Sequence, residues 1–362
     1  ITDLAVAEAR KSHHSRAFIL FAGPHVTALP DETMAQEPAL DAVARGEYDY
    51  TVRDLARALS AGDDLENVEG ISYRGSDGTI VHNPDRDLIQ DLDVLPFVSE
   101  VYKRHLRVVD YSYSIALHPQ VTIVSGRGCP YKCTFCLWPQ TITGPRYRLR
   151  SVANFADEFD YIAHELPQVR DIFIEDDTVT IDQERCISLA KVLIQRGSQQ
   201  QFTANARANV PFDTLQWLKK TGLRLLCVGF ESGDQGVLNG MKKGMRVDQY
   251  YRFREAAKHA GVLVHGCFMA GNPGETHETL GKTLQLAKRL NPDTAQFYPL
   301  MVYPGTEAYD LAKSNGSLGA VDFQDWLTPE GFHNTVINQP GLPASDLVAW
   351  CDQARRSFYL RP

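Results

Sequence analysis

Ser125-Gly126-Arg127-Gly128-Cys129-Pro130-Tyr131-Lys132-Cys133-Thr134-Phe135-Cys136-Leu137-Trp138-Pro139-Gln140 is the stretch on which the reading of this chain turns. Of seven cysteines in 362 residues, three crowd into it: Cys129, Cys133 and Cys136. Three residues separate the first pair and two the second, so one loop can wrap a compact metal centre. Iron–sulfur clusters are held by thiolates, usually four of them. Three local thiolates would leave one iron open to bind a substrate. Structural zinc is the alternative, but such sites are closed by four ligands, and the nearest imidazole, His118, sits ahead of the preceding strand. Cysteines buried only for their hydrophobicity carry no such loop spacing.

Outward from the loop the pattern is regular. Val121-Thr122-Ile123-Val124 is a strand that runs into it. Further strands are expected near 171–175, 201–205, 224–230, 262–269 and 294–300. Helical spacing lies between them, near 153–166, 182–196, 212–221, 247–260 and 276–289, with a last helix from Glu307. Six β-then-α units repeat at about 30 residues, which implies a parallel sheet with helices outside. Right-handed crossovers curl such units into an open or partial barrel. Ligands then sit at the carboxyl ends of the strands. Charged groups collect at those ends: Glu175-Asp176-Asp177, Asn205-Ala206-Arg207 and Glu231-Ser232. Cys227 and Cys267 fall inside strands and are expected in the core, not as ligands.

Residues 1–110 form a half α/β unit plus linker. Strands are expected at 17–21 and 39–44, helices near 31–36 and 50–59, and a hairpin from 70–74 and 79–82. Residues 83–110 show little periodicity and suggest a linker that wraps the next domain. The barrel domain covers 111–317, and 318–362 is a C-terminal extension. The chain opens on Ile1 with a helix entered part-way, and both ends suggest interior passages of a longer protein. The net charge of −8 gives no global pull on nucleic acid. No apolar run approaches the roughly 18–20 residues of a membrane span. Seven unevenly placed cysteines do not make a disulfide scaffold.

The C-x-x-x-C-x-x-C loop with an aromatic before its third cysteine resembles that of the radical S-adenosylmethionine (SAM) enzymes, and the resemblance spans roughly 115–320. It implies a partial (β/α)6 barrel in which Cys129, Cys133 and Cys136 hold a [4Fe–4S] cluster whose open iron chelates SAM. Reductive cleavage would then give a 5′-deoxyadenosyl radical that functionalises a substrate C–H bond. The same resemblance places Phe135, Asp176, Asp177, Arg207, Glu231, Ser232 and Lys243 around SAM. Ahead of the barrel, Gly23-Pro24-His25 and Arg45-Gly46-Glu47 are similar to late strand ends of the Rossmann-like cobalamin-binding domain in cobalamin-dependent members. There Gly23 and Gly46 would let the backbone approach the corrinoid. Ala22 and Tyr48-Asp49 depart from that pattern. Cys136-Leu137-Trp138-Pro139-Gln140 and Arg146-Tyr147-Arg148-Leu149-Arg150 resemble members associated with hopanoid biosynthesis. The arginine triplet is expected on a solvated loop or facing a phosphate.

The expected function is therefore that of a radical SAM enzyme, acting by cobalamin-dependent methyl transfer or rearrangement on a small-molecule or lipid-like substrate. A flavodoxin or ferredoxin would supply electrons in a reducing, oxygen-poor cytoplasm. A tRNA methylthiotransferase-like enzyme is the alternative, but a basic RNA-binding domain is missing from the sequence. A non-enzymatic iron–sulfur electron carrier or corrinoid-binding protein would leave the strand-end acids without a purpose.

Overall fold

Two sheets divide the chain in the computed structural model, which describes residues 2–319, 326–327 and 334–361. The first part runs α1 (Thr2–His13), β1 (Leu20–Ala22), α2 (Pro24–Ala28), α3 (Pro30–Gln36), β2 (Ala42–Ala44), α4 (Asp49–Ala61), β3 (Ile71–Arg74) and β4 (Ile80–His82). β1 and β2 pair in parallel, and β3 and β4 add the expected hairpin antiparallel to β2. The short helix α2 was not anticipated. Pro24 at its first turn fixes φ where the missing N–H costs nothing.

The linker does carry a helix, α5 (Val98–His105). Its one buried residue is Ser99, whose N–H and Oγ both donate to Glu158, at 3.0 and 2.9 Å. The helix also lays Tyr102 against the main core, but at eight residues it is too short for a periodic pattern to stand out in the sequence.

The second part runs β5 (Gln120–Ile123), β6 (Gly126–Arg127), α6 (Leu137–Thr141), β7 (Arg148–Leu149), α7 (Val152–Glu165), β8 (Asp171–Ile174), α8 (Gln183–Gln195), β9 (Phe202–Ala206) and α9 (Phe212–Lys220). It continues with β10 (Leu223–Glu231), α10 (Gln235–Gly240), α11 (Val247–Ala260), β11 (Leu263–Ala270), α12 (His277–Leu290), β12 (Thr294–Pro299), α13 (Glu307–Ser314) and α14 (Ala344–Tyr359). Six parallel strands lie in the order β12-β11-β10-β9-β8-β5, chain order throughout, as a partial barrel requires. Helix starts follow their caps: Ser151, Asp182 and Thr276 accept from the first-turn N–H groups of α7, α8 and α12.

Strand alternation sorts the side chains. Ile172, Ile174, Ala204, Leu226, Val228, Val264 and Phe268 join the main core under the helices. Residues 171, 173, 175, 203, 205, 207, 227, 229, 231, 265 and 267 have the opposite parity and turn to the barrel interior. Cys227 and Cys267 are thus strand residues as expected, but they are half-buried on the interior face and absent from the core. On the outer face Phe230, Phe268 and Phe297 stack at 5.6 and 5.1 Å.

The helix that covers β12 is α14, not α13: Leu347, Cys351, Ala354 and Phe358 join the main core. α13 turns to the cysteine loop, where Ala308 N–H donates to Thr134 O at 3.0 Å. The stretches 320–325 and 328–333 of the extension lie outside the described residues. No described helix is long and apolar enough to cross a membrane.

Candidate cofactor site

The loop between β5 and α6 is held in shape by its own backbone and by the next strand end. Cys129 and Cys133 are buried and Cys136 half-buried. Gly128 sits at φ 92°, and a Cβ there would stand 2.1 Å from Arg146 O, so no other residue fits. Cys129 N–H donates to Gly144 O at 3.2 Å and Thr134 N–H to Met241 O at 3.0 Å. The α6 residue Gln140 caps Cys136 O at 2.7 Å.

Asp176 and Asp177 support this loop. Asp176 is fully buried and accepts from Ser125 N–H and Oγ (2.6 Å each), Gly126 N–H (3.1 Å) and Tyr147 OH (2.6 Å). Burial raises its pKa, and those donors pull against the rise. Asp177 accepts from Gly128 N–H and Thr143 Oγ1, both at 3.0 Å. Both oxygens of Asp176 are thus committed to the loop. Its task here is to fix the backbone that carries the cysteines.

The donor set fits an iron–sulfur cluster. All three thiols come from one loop, on which no other cysteine lies, and Cys129 and Cys133 are near enough to Cys136 to act on its charge. Burial raises the Cys129 thiol and pushes Cys136 up to about 12, so without a metal these two thiols keep their protons. Metal binding would exchange those protons for iron.

Facing the loop is a second set of side chains. Arg207, at the end of β9, is buried against Cys133 (Nη1 to Sγ, 3.8 Å) and stacks on Tyr131 at 3.6 Å. Its Nη2 donates to Lys243 O, while its Nε is a buried donor without a partner. Lys243 pairs with Glu231 at 2.8 Å, with both side chains less than a tenth exposed, and its ammonium lies 5.8 Å over the Phe135 ring. Glu231 takes φ 61°, left-handed for a side chain that disfavours it, at a break in the β10–β11 register. That bulge aims the carboxylate inward, where Tyr298 OH also reaches it at 3.2 Å. Phe135, Arg207, Glu231 and Lys243 are therefore brought together. Ser232 is not. The strand turns it outward to Thr283 Oγ1 at 3.3 Å, where it also accepts from Asp234 N–H.

A cavity of about 410 Å³ opens between the loop and the front sheet. Cys136, Trp138, Glu175 and Asp177 line one side, and Glu47, Tyr48 and Asp49, just past β2, line the other. Glu175, the first of the three acids, faces this space and its pKa is raised by burial. Gly23 and Gly46 take φ 123° and 65°, and a Cβ on either would meet nothing within 4 Å. Both strand ends therefore leave room in front of the backbone.

Sequence reasoning missed the link between the two halves. Glu47 is buried and pairs with Arg127 at 2.7 Å and Arg148 at 2.8 Å, and Arg127 also pairs with Asp49 at 2.7 Å. Arg148 and Arg150 therefore face neither solvent nor a phosphate. Arg150 is spent on Glu158, and only Arg146 of the triplet is exposed. Nothing in the local pattern could have shown this, because Glu47 lies 101 residues from Arg148.

Comparison with known proteins bears on the family and the fold. Residues 123–287 match the Radical SAM superfamily. The chain is 31% identical over 358 residues to the "uncharacterized methyltransferase PH0819" of Pyrococcus horikoshii, covering 99% of this chain and 75% of that protein. It is 28% identical to the anaerobic magnesium-protoporphyrin IX monomethyl ester cyclase of Rubrivivax gelatinosus, covering 85% of this chain and 55% of that protein. In fold it is similar to TsrM, a radical SAM methyltransferase from Kitasatospora setae solved with cobalamin and a [4Fe–4S] cluster (TM-score 0.76, 17% identity, 97% of this chain and 75% of that chain).

Proposed function

The chain belongs to the radical SAM superfamily, and from that premise we propose that it is a cobalamin-dependent methyltransferase acting on an unactivated carbon. The cavity between Cys136 and the end of β2 carries this reading. It sets Cys136 and Trp138 of the cysteine-loop side against Glu47, Tyr48 and Asp49 just past β2. When bound, the cluster with SAM supplies radical initiation and the corrinoid supplies the methyl group.

The chain's own residues divide the remaining work. Cys129, Cys133 and Cys136 are the cluster ligands. Asp176 and Asp177 fix their loop. Lys243 and Arg207 hold the carboxylate end of SAM, and Glu231 holds its ammonium or ribose hydroxyls. Charge-assisted bonds of this kind are the strong ones. Phe135 shields the cluster. Gly23 and Gly46 admit the corrinoid to the backbone of β1 and β2. The methyltransferase relative from Pyrococcus horikoshii and the fold shared with TsrM support this assignment. The substrate is a small or lipid-like molecule held in the shared cavity. A low-potential reductant acts in a reducing, oxygen-poor cytoplasm.

The test is anaerobic reconstitution of the full-length protein, followed by SAM, cobalamin and a reductant. Both 5′-deoxyadenosine and S-adenosylhomocysteine are expected. A fully loaded cluster that yields no 5′-deoxyadenosine overturns the radical reading. 5′-Deoxyadenosine alone overturns methyl transfer in favour of rearrangement or cyclisation.

A further inference from the structure

Below the strand ends just described, Cys227, His265 and Cys267 meet inside the barrel. Among the described residues they are the one group of three ligand-type side chains whose donor atoms all lie within 4.8 Å of one another. The strand register brings this about. Cys227 on β10 stands beside His265 on β11, and Cys267 follows two residues further on the same face. That parity is the interior one, so none of the three is needed to fill the core.

We infer that Cys227, His265 and Cys267 form a second metal site, for a zinc-class ion, in the interior of the barrel. The two sulfurs are 3.7 Å apart. Two thiolates on one tetrahedral ion, each at about 2.3 Å, stand about 3.8 Å apart. Reduced cysteines at this spacing need no backbone movement to take up a metal. His265 is buried and its ring is oriented by Thr294 Oγ1, 2.8 Å from Nδ1. A hydrogen bond of this type fixes the tautomer and angle of a ligating imidazole. Two sulfurs and one nitrogen select soft or borderline ions over magnesium or calcium.

Three protein ligands also leave a fourth position open, the arrangement of zinc sites that bind a substrate or water. The fourth position would lie in the interior, and the Tyr298 phenol, which reaches Glu231, stands near both cysteines. The open position would take a nitrogen, oxygen or sulfur atom of a bound molecule. The site uses none of the cysteine-loop residues, although Cys267 lies close enough to Glu231 and Lys243 to feel their charge.

The full chain, reconstituted anaerobically with iron and sulfide, is exposed to zinc, dialysed against a weak chelator and assayed for both metals. One zinc per chain is expected beside the cluster iron. Cys227→Ser and Cys267→Ser each lower zinc at least tenfold and leave iron unchanged. A triple Cys129→Ala, Cys133→Ala, Cys136→Ala chain keeps its zinc, and with cobalt(II) it shows tetrahedral bands and sulfur-to-cobalt charge transfer. That last measurement stands even if the serine variants misfold. The proposal is overturned if zinc survives both serine substitutions or disappears with the loop cysteines. It is equally overturned if the anaerobic protein holds a Cys227–Cys267 disulfide and no metal. None of these readouts depends on SAM cleavage, so they separate this site from the methyltransferase reading.

Discussion

At the residue scale, buried charges set the terms. Lys243 and Glu231 form a pair with almost no solvent to screen it. Removing one partner of such a pair costs about 3–5 kcal/mol, whereas replacing both by neutral isosteres is often tolerated. Lys243→Met is therefore expected to lower both the denaturation midpoint and SAM affinity, the latter by at least tenfold. Lys243→Met with Glu231→Gln should recover the midpoint but not the affinity, measured by equilibrium dialysis. If affinity returns with stability, the pair is structural only. Glu275 gives a pH prediction. Burial lifts its pKa from 4.5 to about 7, and its Oε1 and the neighbouring Asn272 Oδ1 are both buried acceptors without donors. A proton on Glu275 relieves that conflict. The folded pKa is the raised one, so the group's contribution is full below pH 4.5 and lost as pH rises through 7. The range amounts to about 3 kcal/mol at 1.36 kcal/mol per unit. Glu275→Gln should match the parent protein near pH 5 and melt a few degrees higher at pH 8. An equal difference at both pH values would refute the assignment. Residues of this kind differ in legibility. The three cysteines declare themselves by local spacing. Asp176 does not, because its donors Ser125 and Tyr147 lie 51 and 29 residues away and become partners only after folding.

At the element scale the βα rhythm was almost fully legible, since each barrel strand and its helix carry their own period. The helix expected at 247–260 is α11, Val247–Ala260. What escaped were elements defined by tertiary partners. The helix α5 hangs on Glu158, and the β6–β7 ribbon is two residues per strand, too short for alternation to show. The covering of β12 was also hidden. The rhythm offers the next helix, α13, for that role, yet α14 does the covering after a detour through the extension. Phe358 packs 6.1 Å from Phe297, and Leu347 is wholly buried. Leu347→Asp on α14 should therefore leave the protein insoluble or lower its melting temperature sharply, because it buries an unpaired carboxylate. Leu311→Asp on α13, at a position 43% exposed, should change little. Thermal melts of the two variants decide it, and equal damage would contradict the assignment of α14 as the sixth outer helix.

At the scale of the whole molecule, the front sheet and the barrel share one buried charge cluster. Glu47 leaves β2 and meets Arg127 on β6 and Arg148 on β7, the two strands that brace the cysteine loop. It also accepts Ile89 N–H at 2.7 Å from the linker, so linker, front sheet and loop converge on one carboxylate. Such a junction transmits damage in both directions. Glu47→Ala leaves two guanidinium groups short of their buried anion, at a cost of about 3–5 kcal/mol. The loss falls on the ribbon and hence on the loop backbone that carries Cys129. Cluster retention should drop along with cobalamin binding, although Glu47 belongs to neither ligand set. Asp49→Asn, which removes a partner 34% exposed and leaves Glu47 in place, should spare the cluster. Iron content and cobalamin absorbance, measured on the same full-length preparations, separate the possibilities. A Glu47→Ala protein that loses cobalamin but keeps its iron would show that the front sheet is a docked module. Joint loss would show that the two cofactor sites stand on one framework.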